Sequence, residues 1–507
     1  MFDKRASGVL LHISSLPSKG GIGTLGKSAY NFIDWLAACR QTYWQILPVC
    51  PTGYGDSPYQ SFSTFAGNPY FIDLELLEQE GLLCASDWQD IDWGDNPESV
   101  DYGKVYTGRQ ALFDVVQQNF QAHIPADFEE FCEQNSSWLD DYSLFMAVKD
   151  AHGGSSFTSW EEDIRVRKPE ALEQWRQKAA ERVMRHKILQ YLFFKQWAAL
   201  KTYAHEHGIL IIGDVPIYVA ADSADVWSSP EQFALDERGL PVEVAGCPPD
   251  AFSRTGQLWG NPVYNWVRMK DSGYSWWKAR IAHSLKIYDA FRIDHFRGFD
   301  SYYSIPYGEA TAQRGVWKPG PGMDLFGALK EQLGELPVIA EDLGVLTDSV
   351  RKLLADTGFP GMKVLQFAFG EDDSEYLPYH YDKNCVVYPG THDNNTLAGW
   401  LRSAPERDIS RAKTYLRIIE SKKITRHAVR EIQIAAISSV ANTCILTMQD
   451  LLVLGDEARM NTPATSSGNW RWRSTWQGMT YIYARKFLLR YTTLYGRLNK
   501  TSEPPVS

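Results

Sequence analysis

Arg292 and Asp294 stand two residues apart in Ala290-Phe291-Arg292-Ile293-Asp294-His295-Phe296-Arg297-Gly298, a short apolar run that opens into a polar loop. A strand alternates its side chains with period two, so the guanidinium and the carboxylate point to one face. Further acids close or follow other apolar runs: Asp214, Glu341 after Pro337–Ala340, Asp393 in Thr391-His392-Asp393-Asn394, and Asp450 after Cys444–Gln449. Each has an ordinary explanation: a helix cap or turn for Asp214, an ion pair with Arg292 for Asp294, an exposed loop for Glu341, an Asx-rich turn for His392 to Asn394. Taken together those explanations are hard to sustain, because carboxylates converging on one mouth repel each other unless they are put to use. The chemistry that needs them clustered, without an evident metal motif, is cleavage of a glycosidic bond. A retaining enzyme sets a nucleophilic carboxylate about 5–5.5 Å from a general acid/base. The acid must hold a proton near neutral pH while the nucleophile stays ionised. Arg292 beside Asp294 favours Asp294 as nucleophile and leaves Glu341 as acid/base.

Those side chains need a scaffold that brings strand ends together. Eight apolar runs read as strands, at 8–13, 43–49, 209–215, 288–294, 337–341, 361–369, 384–388 and 444–448. Helical spacing appears over 27–40, 321–334, 345–355 and 405–439, and most strands are followed by helical or inserted sequence. This alternation predicts an α/β fold, a (β/α)8 TIM barrel with its active site at the C-terminal ends of the strands. An open doubly wound sheet is the rival, but no glycine fingerprint opens a nucleotide-binding βαβ unit. A barrel takes about 250 residues, so much of the 507-residue chain must be insertion. We expect one catalytic barrel over 1–500, with a mostly helical insertion at approximately 60–200, a loop and lid insertion at 220–268, and a polar tail at 501–507.

Composition narrows the partners. The net charge is -11, and no run of five basic residues occurs, which argues against a nucleic-acid surface. No run of about 20 apolar residues is present, so no membrane span is expected, and the N-terminus lacks a signal-like apolar region. The seven cysteines are widely spaced without a CxxC, as expected of reduced thiols in a cytoplasmic protein. His205-Glu206-His207 lacks the spacing of a zinc helix and reads as exposed polar sequence. The 18 Trp, 26 Tyr and 23 Phe accompany sugar handling, since indole stacks on pyranose faces. His12, near the first strand's end, either faces the barrel mouth or packs locally.

The motifs GYGDSPYQ (53–60), FRIDHFRG (291–298), AEDLG (340–344), GTHDNNT (390–396) and GDEARMNTP (455–463) together resemble the amylomaltase or disproportionating-enzyme family. These are the 4-α-glucanotransferases of glycoside hydrolase family 77, related to the α-amylases. The resemblance runs from about residue 5 to 500 in the family's order. It implies a barrel with inserted subdomains and no separate C-terminal β domain, with Asp294 as nucleophile, Glu341 as acid/base and Asp393 binding the distorted donor sugar. It further implies substrate binding by Arg292, His392, His295, Asn394 and Asp214, and by Tyr54, Ser57 and Tyr59 in the loop after the second strand. Asp250, Phe252, Ser253, Gly256, Gln257 and Trp259 would form a lid over the acceptor side. The implied substrates are α-1,4-glucans and maltooligosaccharides, with long donors able to cyclise, and no metal or cofactor is implied. Monomer and homodimer both stay open. Ala464 follows Pro463 where a glycine is common. An α-amylase-like hydrolase would share the carboxylates, whereas a silent glucan-binding scaffold would not need an intact acid and nucleophile.

Overall fold

Twelve strands form in the computed structural model, which describes residues 1–249, 253–344, 346–418, 426–465, 467–475 and 482–499. They are β1 (Ala6–Leu10), β2 (Tyr43–Gln45), β3 (Leu210–Val215), β4 (Glu243–Cys247), β5 (Gln257–Pro262), β6 (Ala290–Ile293), β7 (Ser301–Pro306), β8 (Val316–Pro319), β9 (Val338–Ala340), β10 (Gly361–Val364), β11 (Cys385–Tyr388) and β12 (Thr443–Thr447). Eight of them close a parallel barrel in chain order, β1-β2-β3-β6-β9-β10-β11-β12, and β12 pairs back on β1. These eight are the runs expected from sequence. Parallel strands covered on both faces read as near-continuous apolar segments, which is why they were legible.

Pairing stops sooner than the apolar runs do. The 43–49 run pairs only to Gln45, ahead of Pro48, and the 361–369 run becomes a 3-10 helix at Leu365–Phe369. Inside the barrel, Ile212, Ala290, Ile339, Met362, Val386, Tyr388 and Ile445 pack as one cluster. Gly8 allows that packing, since a Cβ there would lie 2.5 Å from both the side chain and the carbonyl of Tyr43. Arg497, fully buried, closes the ring from below by donating to the carbonyls of Ala6, Ile437, Ser439, Ala441 and Asn442.

Helices lie between most barrel strands, among them Lys27–Ala38, Met323–Leu333, Asp348–Thr357, Glu406–Tyr415 and Arg426–Ser438. Between β2 and β3 the chain is helical, with Tyr102–Ala122, Ser136–Ala151 and Ala180–Glu206 the longest pieces. Among the described residues no strand follows β12, and the chain's last described element is the helix Ile482–Leu494.

One part of the sequence reading needs correction. The stretch 220–268 reads as loop, yet it contains β4 and β5. These join β7 and β8, from the far side of β6, in an antiparallel sheet of order β5-β4-β7-β8. Val244, Tyr303, Ile305 and Ala312 form its small core. The β4–β5 and β7–β8 pairings are local, but the central β4–β7 pairing joins residues about 60 apart, as in Val244 with Ile305, so little within the Gly- and Pro-rich segment announces the sheet.

Candidate active site

Period two along the barrel strands turns Ala290, Arg292 and Asp294 inward, above the apolar cluster. The β3–β6 register sets Asp214 directly opposite Arg292. Both are buried, at 2% and 4% exposure. Arg292 Nη1 donates to Asp214 Oδ1 and Oδ2 at 3.0 and 2.8 Å, and Nη2 donates to Asp294 Oδ1 at 2.7 Å. Burial by itself would weaken the guanidinium's hold on its proton. The two carboxylates more than reverse this and keep Arg292 charged. Burial pushes the Asp214 carboxyl up to about 7 against the pull of Arg292. The Asp294 side chain keeps 31% exposure, and among the described residues no donor reaches its Oδ2. That oxygen is available to an incoming electrophile.

Glu341 is the first residue beyond β9, where its N–H still donates to Ile293 O at 3.0 Å. Its Oε2 accepts the His295 N–H and its Oε1 the Leu343 N–H, each at 2.8 Å. His295 sits in the left-handed region at φ 52, the turn through which the chain leaves the strand beside Glu341. Burial raises the Glu341 carboxyl to about 7. Asp294 adds to the rise, while Arg292 and the two N–H donors oppose it. A carboxyl poised there can give and take a proton near neutral pH.

Tyr59 ties a third group to this pair. Its hydroxyl donates to Asp214 Oδ2 at 3.0 Å and lies 3.0 Å from His392 Nε2. A hydroxyl has one proton, and Asp214 takes it, so His392 Nε2–H is the donor toward Tyr59. Burial lowers the His392 pKa, which keeps the ring neutral in that tautomer. Asp393 Oδ2 is 3.3 Å from the same nitrogen. The Tyr59 and His392 rings stack at 5.3 Å.

Several expected residues position others. Asn394 Oδ1 accepts the N–H and hydroxyl of Thr391, and Ser57 Oγ accepts the Tyr59 N–H, so both shape turns. Ser253 Oγ donates to Gly256 O, and Gly256 lies at φ 69, where a side chain would be strained. The Trp259 indole N–H donates to Gln257 Oε1 at 3.1 Å, and its ring meets His295 edge-on at 4.9 Å. Asp250, Phe252 and the Tyr54 side chain lie outside the described residues. Asp450 is buried with Oδ1 on the Leu397 N–H and Oδ2 on the Thr447 hydroxyl, a structural tie. His12 is also buried. Its Nδ1 accepts the Leu47 N–H, and burial lowers its pKa to about 3. His205 hydrogen-bonds Asp289, away from the barrel mouth.

Three residues escaped the sequence reading. Asn461 Nδ2 donates to Asp393 Oδ1 at 2.7 Å, and Arg459 Nη2 donates to Asp393 O at 2.8 Å. Both lie in the quoted 455–463 motif, but nothing local ties that motif to the loop after β11. Trp470 packs on Tyr59 and His392 at 5.7 and 5.9 Å. As one of 18 tryptophans it carried no signal. Ala464 stands at φ 64, a backbone that glycine adopts freely, which accounts for the glycine common at that position.

A 4-alpha-glucanotransferase family model matches residues 11–478. The chain is 50% identical over 490 residues to a 4-alpha-glucanotransferase of Clostridium butyricum, covering 96% of this chain and 100% of that one. It is 46% identical over 480 residues to one of Thermus thermophilus, covering 92% and 94%. It superposes with TM-score 0.94 and 44% identity on an amylomaltase from Streptococcus agalactiae solved with acarbose, covering 98% of this chain and all of that one.

Proposed function

The chain belongs to the 4-alpha-glucanotransferases of glycoside hydrolase family 77, and on that premise we propose that Asp294, Glu341 and Asp393 carry its reaction. The enzyme moves α-1,4-glucan segments from a maltooligosaccharide or starch-type donor to the 4-OH of glucose or an oligosaccharide acceptor. It works by a retaining double displacement. Asp294 Oδ2 attacks C1 of the donor sugar. Glu341 gives its proton to the glycosidic oxygen, and the reducing-end part leaves. A covalent glucosyl-enzyme remains on Asp294. Glu341, now a carboxylate, takes the proton from the acceptor 4-OH as that oxygen attacks C1, and Asp294 departs.

Arg292 orients the nucleophile through its 2.7 Å bond to Asp294 Oδ1, with Asp214 and Tyr59 bracing the guanidinium from behind. Asp393 and neutral His392 hold hydroxyls of the donor sugar. Trp259, packed on His295, is an apolar wall that favours a sugar over water at the acceptor side. Long donors can attack their own intermediates and cyclise. The observation that carries this assignment is the buried Glu341, poised at about 7 beside an arginine-held Asp294. Among the described residues no helix is long and apolar enough to cross a membrane. A cytoplasmic location is our reading, supported by cysteines that form no disulfide among the described residues.

Maltotriose tests the reaction. Glucose with maltotetraose and longer chains, at constant total reducing ends, is the expected outcome. A steady rise in reducing ends would show that water, not sugar, collects the intermediate.

A further inference from the structure

Trp317 is an unusual surface residue. It lies on β8, the edge of the small sheet, and 43% of it is exposed. Its ring is nevertheless held firmly. The Arg297 guanidinium carbon lies 4.1 Å from the ring centroid, and Tyr303, its partner across β7–β8, meets it edge-on at 5.3 Å. Among the described residues no group accepts its indole N–H. A braced, exposed indole with a free donor suits a pyranose: the ring stacks on a C–H face while the N–H reaches a hydroxyl.

Its place relative to the carboxylates says which part of a substrate would reach it. Glu341 protonates the leaving oxygen and later deprotonates the acceptor, so elements bound to Glu341 border the acceptor side. The first is His295, whose N–H donates to Glu341 and whose ring packs on Trp259. Two residues on is Arg297, which reaches Trp317. From Asp294 to Arg297 the chain spans at most about 11 Å. Trp259 on β5 and Trp317 on β8 belong to opposite edges of one sheet. Leu258, 39% exposed, is the neighbour of Trp259 on β5. The pairings Leu258–Gly246–Tyr303–Trp317 run across that sheet, and Trp317 is linked to the acceptor side through Arg297 and His295.

Resting on the transferase reading above, we propose that Trp317 is a distal acceptor subsite, a stacking platform for the far end of a long α-1,4-glucan acceptor. A glucose acceptor is too short to touch it. Arg297 is then a positioning residue that holds the indole flat.

The test compares wild type with Trp317→Ala and Trp317→Phe, using amylose as donor and either glucose or maltoheptaose as acceptor. In Trp317→Ala the ratio of acceptor kcat/KM for maltoheptaose to that for glucose should fall about 3–10-fold, mostly through KM, the range expected for one lost stacking contact. Trp317→Phe, which keeps a stacking face, should recover most of that ratio. An unchanged ratio in Trp317→Ala overturns the proposal. So do equal losses on both acceptors with lowered melting temperature, which would make Trp317 a structural member of the sheet. Wild-type disproportionation of maltotriose is scored separately, and its failure would fall on the transfer reaction itself and leave the ratio test to judge the subsite.

Discussion

Replacing Glu341 by Gln probes the centre of the mechanism, because the structure predicts two distinct losses. The first is the proton. General acid catalysis contributes roughly 10²–10⁴-fold, and an amide has no proton to give. The second is geometric. Both Glu341 oxygens accept backbone N–H groups, from His295 and Leu343, each at 2.8 Å. Glutamine keeps one oxygen and turns an NH2 toward the other donor. One buried N–H is then unsatisfied, at about 1–3 kcal/mol, which shifts the His295 turn and costs about tenfold more. Together kcat/KM on maltotriose should drop at least about 10³-fold. In wild type, kcat/KM should decline above pH of about 7 as Glu341 loses its proton, and Glu341→Gln should lack that limb. The assay that separates the roles uses α-maltotriosyl fluoride, whose fluoride departs without a proton. Glu341→Gln should release a burst of one fluoride per enzyme, then stall because no base serves the acceptor. Asp294→Asn should release none. Transfer within tenfold of wild type in Glu341→Gln, a surviving limb near pH 7, or identical fluoride behaviour of the two variants would refute the assignment.

Arg292→Met should destabilise the fold by about 3–5 kcal/mol above neutrality, the usual result of stripping a buried ion pair of one partner, read from urea midpoints. The sign with pH follows from Asp214. Its folded value of about 7 lies above the unfolded value, so the folded state keeps a proton that the unfolded state releases between roughly pH 4 and 7. This contribution is complete below pH 4 and gone above 7, and the Met variant should therefore recover part of its loss near pH 5. A penalty independent of pH would contradict the Asp214–Arg292 account. Asn461→Ala removes the 2.7 Å bond to Asp393 and should lower kcat/KM about 10–100-fold, the equivalent of one charge-assisted hydrogen bond. A change under threefold would detach Asn461 from the site. Ala464→Gly relieves a φ of 64, worth about 1–2 kcal/mol, against about 0.4–1 kcal/mol of added chain entropy. A small rise in the urea midpoint is expected, and a fall would mean that the Ala464 methyl packs usefully.

The eight barrel strands and the acids at their ends were written in the chain itself. A parallel strand buried on both faces must be apolar throughout, so Arg292, Asp294 and Glu341 stood out where a core was expected. Period two then put Arg292 and Asp294 on one face with no further information. The motifs carried the roles by resemblance. What lay beyond reach depended on contacts between distant segments. Register alone sets Asp214 against Arg292 across 78 residues. The clamp on Glu341 needs backbone donors from two loops, and backbone N–H groups leave no trace in a sequence. Asn461 and Trp470 arrive at Asp393 and Tyr59 from a loop beyond β12, guided by packing and not by local preference. The small sheet joins segments from both sides of β6, so turn-forming sequence concealed its strands. Local period chose the strands and their inward residues, whereas the Glu341 proton affinity, set by burial and neighbouring charge, existed only once the barrel had closed around it.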